Sequence, residues 1–489
     1  MRSDFLRPRA AHASAVAGLL AATHAFAQSY TFTNIIDESG PLSYFRTPAI
    51  NNEGVATFFA IDDLTGLGVF AVDGEVVLEI AANEHLADFS KVIIPAINDD
   101  GTVVFSANLA DGTSGIFAGT GGPFAPVIDD SSEFFLFNDP AINNAGEVAF
   151  RAEYDTGIRE EGVFKVLDGT LTTIADDAGA FCCFGLYPAI NNHGDVAFHA
   201  FLDALPNDGI FVGNGKNLIT IANTSGAFEF FGFNTAPSIN DHGVVAFRAE
   251  LDNGEAGVFT GNGGLTATIA DTSGPYDQFL NPDINNAGTI VFGARLDDGR
   301  DGIFTGPDPV RDKVIIQGDD LFGSTLTLVV FYRGLNEQGD MTFRYQLENG
   351  VEGVAVASPV TLPGDMNNDN VVNGEDQAAF CAAIGAAQGE PEFQSAADLN
   401  NDGVIDHLDL AIFNEALRPC DGDVVSSDTF QPPADGVTDG ADLAYLLGAW
   451  GAQPSCADFV ASKSFEPPPD GKVDAADLAF LLGAWGACE

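Results

Sequence analysis

Two stretches near the C-terminus place oxygen-bearing side chains at a spacing suited to a hard cation. In GDMNNDNVVNGEDQAAF, residues Asp365, Asn367, Asp369, Val371, Asn373 and Asp376 occupy positions 1, 3, 5, 7, 9 and 12 of a loop. In ADLNNDGVIDHLDLAIF the same positions are Asp398, Asn400, Asp402, Val404, Asp406 and Asp409, 33 residues further on. Ca²⁺ takes six to eight oxygens, and this order supplies them, the position-7 ligand being a backbone carbonyl rather than the valine side chain. The sharp turn at position 6 falls on Gly403 in one loop and Asn370 in the other, both residue types that tolerate left-handed backbone. Position 12 is Asp rather than a long bidentate Glu, which argues against a loop that opens and closes as a sensor.

The loops follow the EF-hand order, but each leads into one short helix and none has a good entering helix. Phe380 and Ile384 mark the apolar face of the first helix, and Leu410, Phe413 and Leu417 that of the second. This loop-helix duplication resembles type I dockerins over residues 363–418, a resemblance that implies a Ca²⁺-folded module docking onto a cohesin-like partner. Two degenerate copies follow, PPADGVTDGADLAYLLGAWG and PPPDGKVDAADLAFLLGAWGAC. They keep Asp435, Asp439 and Asp442, then Asp470, Asp474 and Asp477, at positions 5, 9 and 12. Positions 1 and 3 lack carboxylates there, apart from Glu466. Their helices present Leu443, Leu446, Leu447 and Trp450, and Leu478, Leu481, Leu482 and Trp485, at helical spacing. These stripes are expected to pack on each other, with a docking face as the second reading. The ending LLGAWGAC is similar to the GC-type dockerin-like anchoring domain of secreted bacterial proteins over residues 420–489, and implies attachment to a cell-surface or matrix partner.

What these loops would anchor is a chain built by repetition. PAINNEGVATF at Pro48, PAINDDGTVVF at Pro95, PAINNAGEVAF at Pro140, PAINNHGDVAF at Pro188, PSINDHGVVAF at Pro237 and PDINNAGTIVF at Pro282 are one unit, with a decayed seventh copy, GLNEQGDMTF, at Gly334. Each unit adds a Gly-Ile/Val-Phe segment, decayed to GVAVAS at Gly353 in the seventh, and most add an IA segment such as LTTIAD at Leu171. Asn can hydrogen-bond backbone two residues on, and Gly accepts φ > 0, so NxxG reads as a hairpin tip. About four short strands per 45-residue unit match a propeller blade. The expectation is a mainly β chain with a seven-bladed β-propeller-like repeat domain, then small α-helical calcium modules; a β-solenoid is the alternative. If the blade boundaries do not coincide with the ends of the repeat region, the N-terminal strand YTFTNII would pair into the last blade and close the ring. The repeats resemble the tandem NxxGxxxAF repeats of secreted bacterial choice-of-anchor proteins over residues 30–358, which implies an architecture and no activity.

Residues 1–27 carry Arg2, Arg7 and Arg9, an apolar run and a small-x-small ending at Ala25 and Ala27, the features of a signal peptide. The expected boundaries are therefore 1–27 for that peptide, 28–358 for the repeats, 359–419 for the calcium pair and 420–489 for the anchoring domain. The full chain has a formal net charge of −52. Such a surface repels phosphate backbones and attracts divalent cations, so nucleic acid is excluded as a partner. Beyond residue 27 no apolar run reaches membrane-spanning length, so a secreted, extracellular or cell-surface location is expected. Of six cysteines, Cys381, Cys420, Cys456 and Cys488 read as disulfide-forming with the pairing open, and Cys182 and Cys183 as either a vicinal disulfide or two buried thiols.

No catalytic constellation stands out. His193 and His242 occupy a variable tip position, His199 reads as a surface strand residue, and GxSxG and HExxH are absent. The expected function is therefore an anchored, calcium-dependent interaction or structural protein and not an enzyme. A polysaccharide-active enzyme or a glycan binder is the alternative. A cluster of non-repeated polar residues at one mouth of the ring would favour the enzyme.

Overall fold

The strands fall where the repeats place them. In the computed structural model, described over residues 29–82, 94–155, 159–203, 208–232, 234–360, 364–366, 374–387, 394, 397–400, 403–416, 437–438 and 486–487, each repeat forms an antiparallel sheet, and there are seven such sheets. The third unit shows the plan. Its inner strand comes in two pieces, Phe134–Phe137 and Ala141–Ile142, both paired with Val148–Asp155; Arg159–Leu167 and Thr170–Asp176 follow outward. The NxxG glycine turns the chain from inner strand to second strand, and in all seven units its φ is positive, from 73° at Gly243 to 84° at Gly288. The seven-bladed propeller, not the solenoid, is the fold.

The middle strands are buried on both faces, not one. Val103–Asn108 and Ala56–Asp62 each begin with five consecutive buried residues, because a blade is sandwiched between two neighbours, and such strands need apolar runs rather than alternation. The cores lie between blades: Val104 and Ile116 of the second unit pack with Phe134, Phe150 and Phe164 of the third. A recurring aromatic triad fills these seams. Phe134–Phe164, Phe181–Phe211, Phe228–Phe259 and Tyr276–Phe304 meet edge-on with ring centroids 4.9–5.2 Å apart, a preferred geometry for aromatic pairs.

Closure comes from the N-terminus. Tyr30–Asp37 pairs antiparallel with Glu352–Pro359, in register from Tyr30↔Pro359 to Asp37↔Gly353, and becomes the outer strand of the seventh blade. The conditional expectation about ring closure is thus met.

Two rings of hydrogen bonds join the blades near the axis. The first Asn of each motif donates from Nδ2 to the backbone carbonyl of its counterpart in the next blade: Asn51 to Asn98, Asn98 to Asn143, Asn143 to Asn191, Asn191 to Asn240, Asn240 to Asn285, Asn285 to Asn336, and Asn336 back to Asn51, at 2.9–3.3 Å. Its Oδ1 simultaneously holds the tip, as Asn51 does by accepting from Glu53 and Val55 backbone N–H. Asn has donor and acceptor at this reach; Asp lacks the donor, so this position stays Asn in every unit. The next residue forms the second ring. Its side-chain oxygen accepts the backbone N–H of its counterpart in the preceding blade, from Asp99 with Asn52 round to Asn52 with Glu337, at 2.7–3.0 Å. Only an acceptor is needed there, so Asn, Asp and Glu interchange.

The Gly-Ile/Val-Phe glycine has a different cause. A Cβ on Gly68, Gly115, Gly162, Gly209, Gly257 or Gly302 would lie 2.6–2.9 Å from a backbone carbonyl of the outer strand, where that strand bulges. Gly209→Ala is therefore expected to destabilise the propeller by about 1–3 kcal/mol, as overpacking does, seen as a lowered Tm. Gly122→Ala, with nothing within 4 Å of the new carbon, should leave the Tm nearly unchanged.

After the propeller, α1 (Gly374–Ala383) and α2 (His407–Ala416) pack through Phe380, Ala383, Leu410 and Phe413, with Phe380 and Phe413 rings stacked at 4.6 Å. The expected apolar helix faces thus meet each other. Gly385 donates its backbone N–H to the Ile405 carbonyl and Ile405 donates its own to the Ala386 carbonyl, tying the segment after α1 to the second loop.

Candidate metal loops and the central channel

Within the metal loops the two position-12 aspartates are fully buried, at 0% exposure for both Asp376 and Asp409. Asp376 accepts the Met366 N–H at 2.7 Å. Asp409, in the first turn of α2, accepts N–H groups from Asn400 and Asp406 at 3.1 and 2.8 Å. Each thereby ties the loop to the helix that follows. Asp398 is also buried and accepts the Gly403 N–H, which is possible because Gly403 is left-handed, with φ 84°. Burial pushes the Asp409 carboxyl up from its ordinary value, and Asp398 adds to the shift. Carboxylates collected in a buried turn call for a counter-cation, and an all-oxygen set of this kind fits Ca²⁺.

Asp365, Asp376, Asp398, Asn400, Val404, Asp406 and Asp409 are thus placed in or beside the loops. Asn367, Asp369, Val371, Asn373 and Asp402 lie outside the described residues, as do Asp435, Asp439, Asp442, Asp470, Asp474 and Asp477. Among the described residues no three metal-binding side chains converge. The last region shows a short strand pair, Val437 with Ala487 and Thr438 with Gly486. Cys381 is disulfide-bonded, in line with its expected role.

The inner strands line an axial channel with a cavity of about 220 Å³. One end carries the second hydrogen-bond ring, including Asp99, Asp241 and Glu337; Ile50, Ile97, Ile142, Ile190, Ile239 and Ile284 form the collar. At the other end, set by residues preceding the inner strand, the repeat symmetry breaks. Asp139, Tyr187 and Tyr332 stand there, and Ser238 and Asp283 replace alanines found in four other units. Arg333 takes the place where six units have proline. Its φ is +51°, a left-handed conformation that costs a non-glycine residue roughly 1–2 kcal/mol. From the seventh blade it reaches across to the fourth, donating from Nη2 to the carbonyls of Tyr187 and Pro188 at 3.0 and 2.7 Å. Tyr187 and Tyr332 meet edge-to-face at 5.9 Å. Ser106 donates to Asp139, and Ser238 to Asp283. Burial raises the Asp283 carboxyl and the Tyr187 and Tyr332 phenols.

Sequence reasoning missed this cluster because its members are scattered over 195 positions, from Asp139 to Arg333; the one signal was the departure of each from its sister units. The reading of His199 is corrected. It is 1% exposed, faces Asp208 at 3.5 Å and packs against Phe201, because second strands are covered on both faces. Arg151 with Glu161 and Arg344 with Glu352 repeat this base-acid pairing, and Glu161 and Glu352 also accept backbone N–H from Phe184 and Phe45 of the following blade. Cys182 and Cys183 are free thiols with sulfurs 3.4 Å apart.

Against known families, the loop-helix pair decides the matter for one segment. Residues 363–418 match the dockerin type I domain. Type I dockerins bind calcium and dock onto cohesins, and dockerin-bearing proteins are typically extracellular or associated with the cell surface. Residues 118–275 match a family of unknown function, DUF7453. No curated protein matches the chain. Among solved structures, an oligogalacturonate lyase from Vibrio parahaemolyticus aligns at 12% identity and TM-score 0.44, over 68% of this chain and 97% of its own. Prolyl oligopeptidase B from Galerina marginata aligns at 11% and 0.41, over 63% of this chain and 47% of its own. A lectin from Aleuria aurantia aligns at 8% and 0.33, over 54% and 92%. Among the described residues no helix is long and apolar enough to cross a membrane.

Proposed function

We propose that this chain is an exported attachment protein, in which Ca²⁺ orders the dockerin and the dockerin holds a seven-bladed scaffold to a cohesin-like or cell-surface partner. The observation that carries this reading is the dockerin match at 363–418, in which Asp376 and Asp409, buried at position 12, knit loop to helix. The ion is assigned to the two loops, with Asp365, Asn367, Asp369, Asn373, Asp376 and the Val371 carbonyl in one, and Asp398, Asn400, Asp402, Asp406, Asp409 and the Val404 carbonyl in the other. The degenerate copies at 435–442 and 470–477 are assigned to the anchoring segment. The repeat domain serves as display or binding scaffold. The test is retention of the full-length protein on a panel of immobilised cohesins. Retention in millimolar Ca²⁺ that is lost in chelator, and lost on truncation after Pro359, supports the reading; no retention on any cohesin, or retention indifferent to chelator, overturns it.

A polysaccharide-active enzyme is the second reading, favoured by the polar cluster at one channel mouth. Release of reducing ends from a polysaccharide panel by the purified protein would establish it.

A further inference from the structure

Three features mark the channel end around Arg333. The Tyr332 hydroxyl is buried and has no hydrogen-bond partner among the described residues, although such a group costs about 1–3 kcal/mol when left unsatisfied. Arg333 sits in a left-handed conformation that proline avoids in six sister units, and strained backbone of this kind clusters at ligand sites. Asp139, Tyr187, Ser238, Asp283, Tyr332 and Arg333 break the repeat at this end.

The chemistry on offer is mixed. Tyr332 and the unengaged nitrogens of Arg333 donate, Asp139 accepts, and Tyr187 and Tyr332 add half-buried aromatic surface. An anion would have to approach Asp139 and Asp283 in a chain of net charge −52, against the field of the whole molecule. A cation would meet the Arg333 guanidinium. A neutral ligand with several hydroxyls suits both donors and acceptors, with an apolar face for the tyrosines. Arg333 crosses the channel to Tyr187 and Pro188, so a polymer cannot thread through, and the whole channel cavity of about 220 Å³ limits a ligand to about one sugar ring.

We propose that this end of the channel binds a single neutral sugar unit, such as the exposed end of a glycan, held by Tyr332, Arg333 and Asp139 against Tyr187. The proposal deepens the reading of the repeat domain as a binding scaffold and rests on it; it does not rest on the dockerin.

The experiment is calorimetric titration of the full-length protein with neutral sugars (glucose, galactose, mannose, xylose and their disaccharides) and with glucuronate and galacturonate, repeated on Tyr332→Phe and Arg333→Lys. At least one neutral sugar is expected to bind in the millimolar range or tighter. Tyr332→Phe should weaken it roughly three- to tenfold, the worth of one hydrogen bond, without lowering the Tm, since the deleted hydroxyl has no partner to lose. Arg333→Lys should weaken it further, because a lysine cannot both hold the strap and offer a fork. Absence of binding by every neutral sugar, binding confined to the acidic sugars, or equal affinity for the parent and Tyr332→Phe would each overturn the proposal. Cohesin retention of Tyr332→Phe should equal that of the parent, so failure here is distinguishable from failure of the attachment reading.

Discussion

Deleting residues 28–37 is expected to open the propeller and lower its stability by on the order of 5–10 kcal/mol, the sum of several backbone hydrogen bonds and two partly buried aromatic side chains. The strand Tyr30–Asp37 is far in sequence from its partner Glu352–Pro359 yet pairs with it along nearly its whole length. Tyr30 and Phe32 pack into the core shared by the last two blades, and Asn34 accepts a hydrogen bond from the buried Tyr345 hydroxyl at 2.9 Å. Removing the strand leaves the seventh blade with a long unpaired edge, which templates aggregation. A melt followed by near-UV circular dichroism should show a large fall in Tm, with aggregation on heating. A synthetic peptide of residues 28–38 added in trans should recover part of the loss. An unchanged Tm would mean that the two hydrogen-bond rings close the propeller without this strand.

Removal of Ca²⁺ is expected to melt the dockerin and spare the propeller. A cation that binds the folded loops and not the unfolded chain contributes RT ln(1 + [L]/Kd), about 4 kcal/mol when the ion stands a thousandfold above its dissociation constant. The dockerin core holds only a handful of buried apolar residues around Phe380, Leu410 and Phe413, so a loss of that size is decisive. Scanning calorimetry of the full chain should show two transitions in Ca²⁺. Chelator should shift or abolish the one belonging to the dockerin and leave the propeller transition in place. Asp376→Ala and Asp409→Ala should each reproduce the effect of chelator at their own loop, because each removes a proposed ligand together with the carboxylate that pins the loop to its helix. A dockerin transition indifferent to both chelator and substitution would remove calcium from the account.

Local chemistry explains why the fold was legible and part of the channel was not. Asn and Gly at fixed offsets dictate a hairpin tip within a few residues, so seven tips could be read directly, and each has the positive-φ glycine the motif requires. The Asn ladder was half visible: its Oδ1 contacts are local, but its Nδ2 contacts join residues 45–51 apart, and one spans 285. His199 was misread because alternation within a strand says nothing about a second blade covering its other face.

Sequence by itself determined the number of blades, their turns, the dockerin segment and the apolar helix faces, since each depends on contacts within one repeat or one turn. Tertiary structure alone decided that the N-terminal strand closes the last blade, that Arg333 crosses to the fourth blade, and that Asp139, Tyr187, Asp283 and Tyr332 share one channel mouth. Those juxtapositions arise only when the sheets are bent round a common axis, which brings residues remote along the chain within hydrogen-bonding distance.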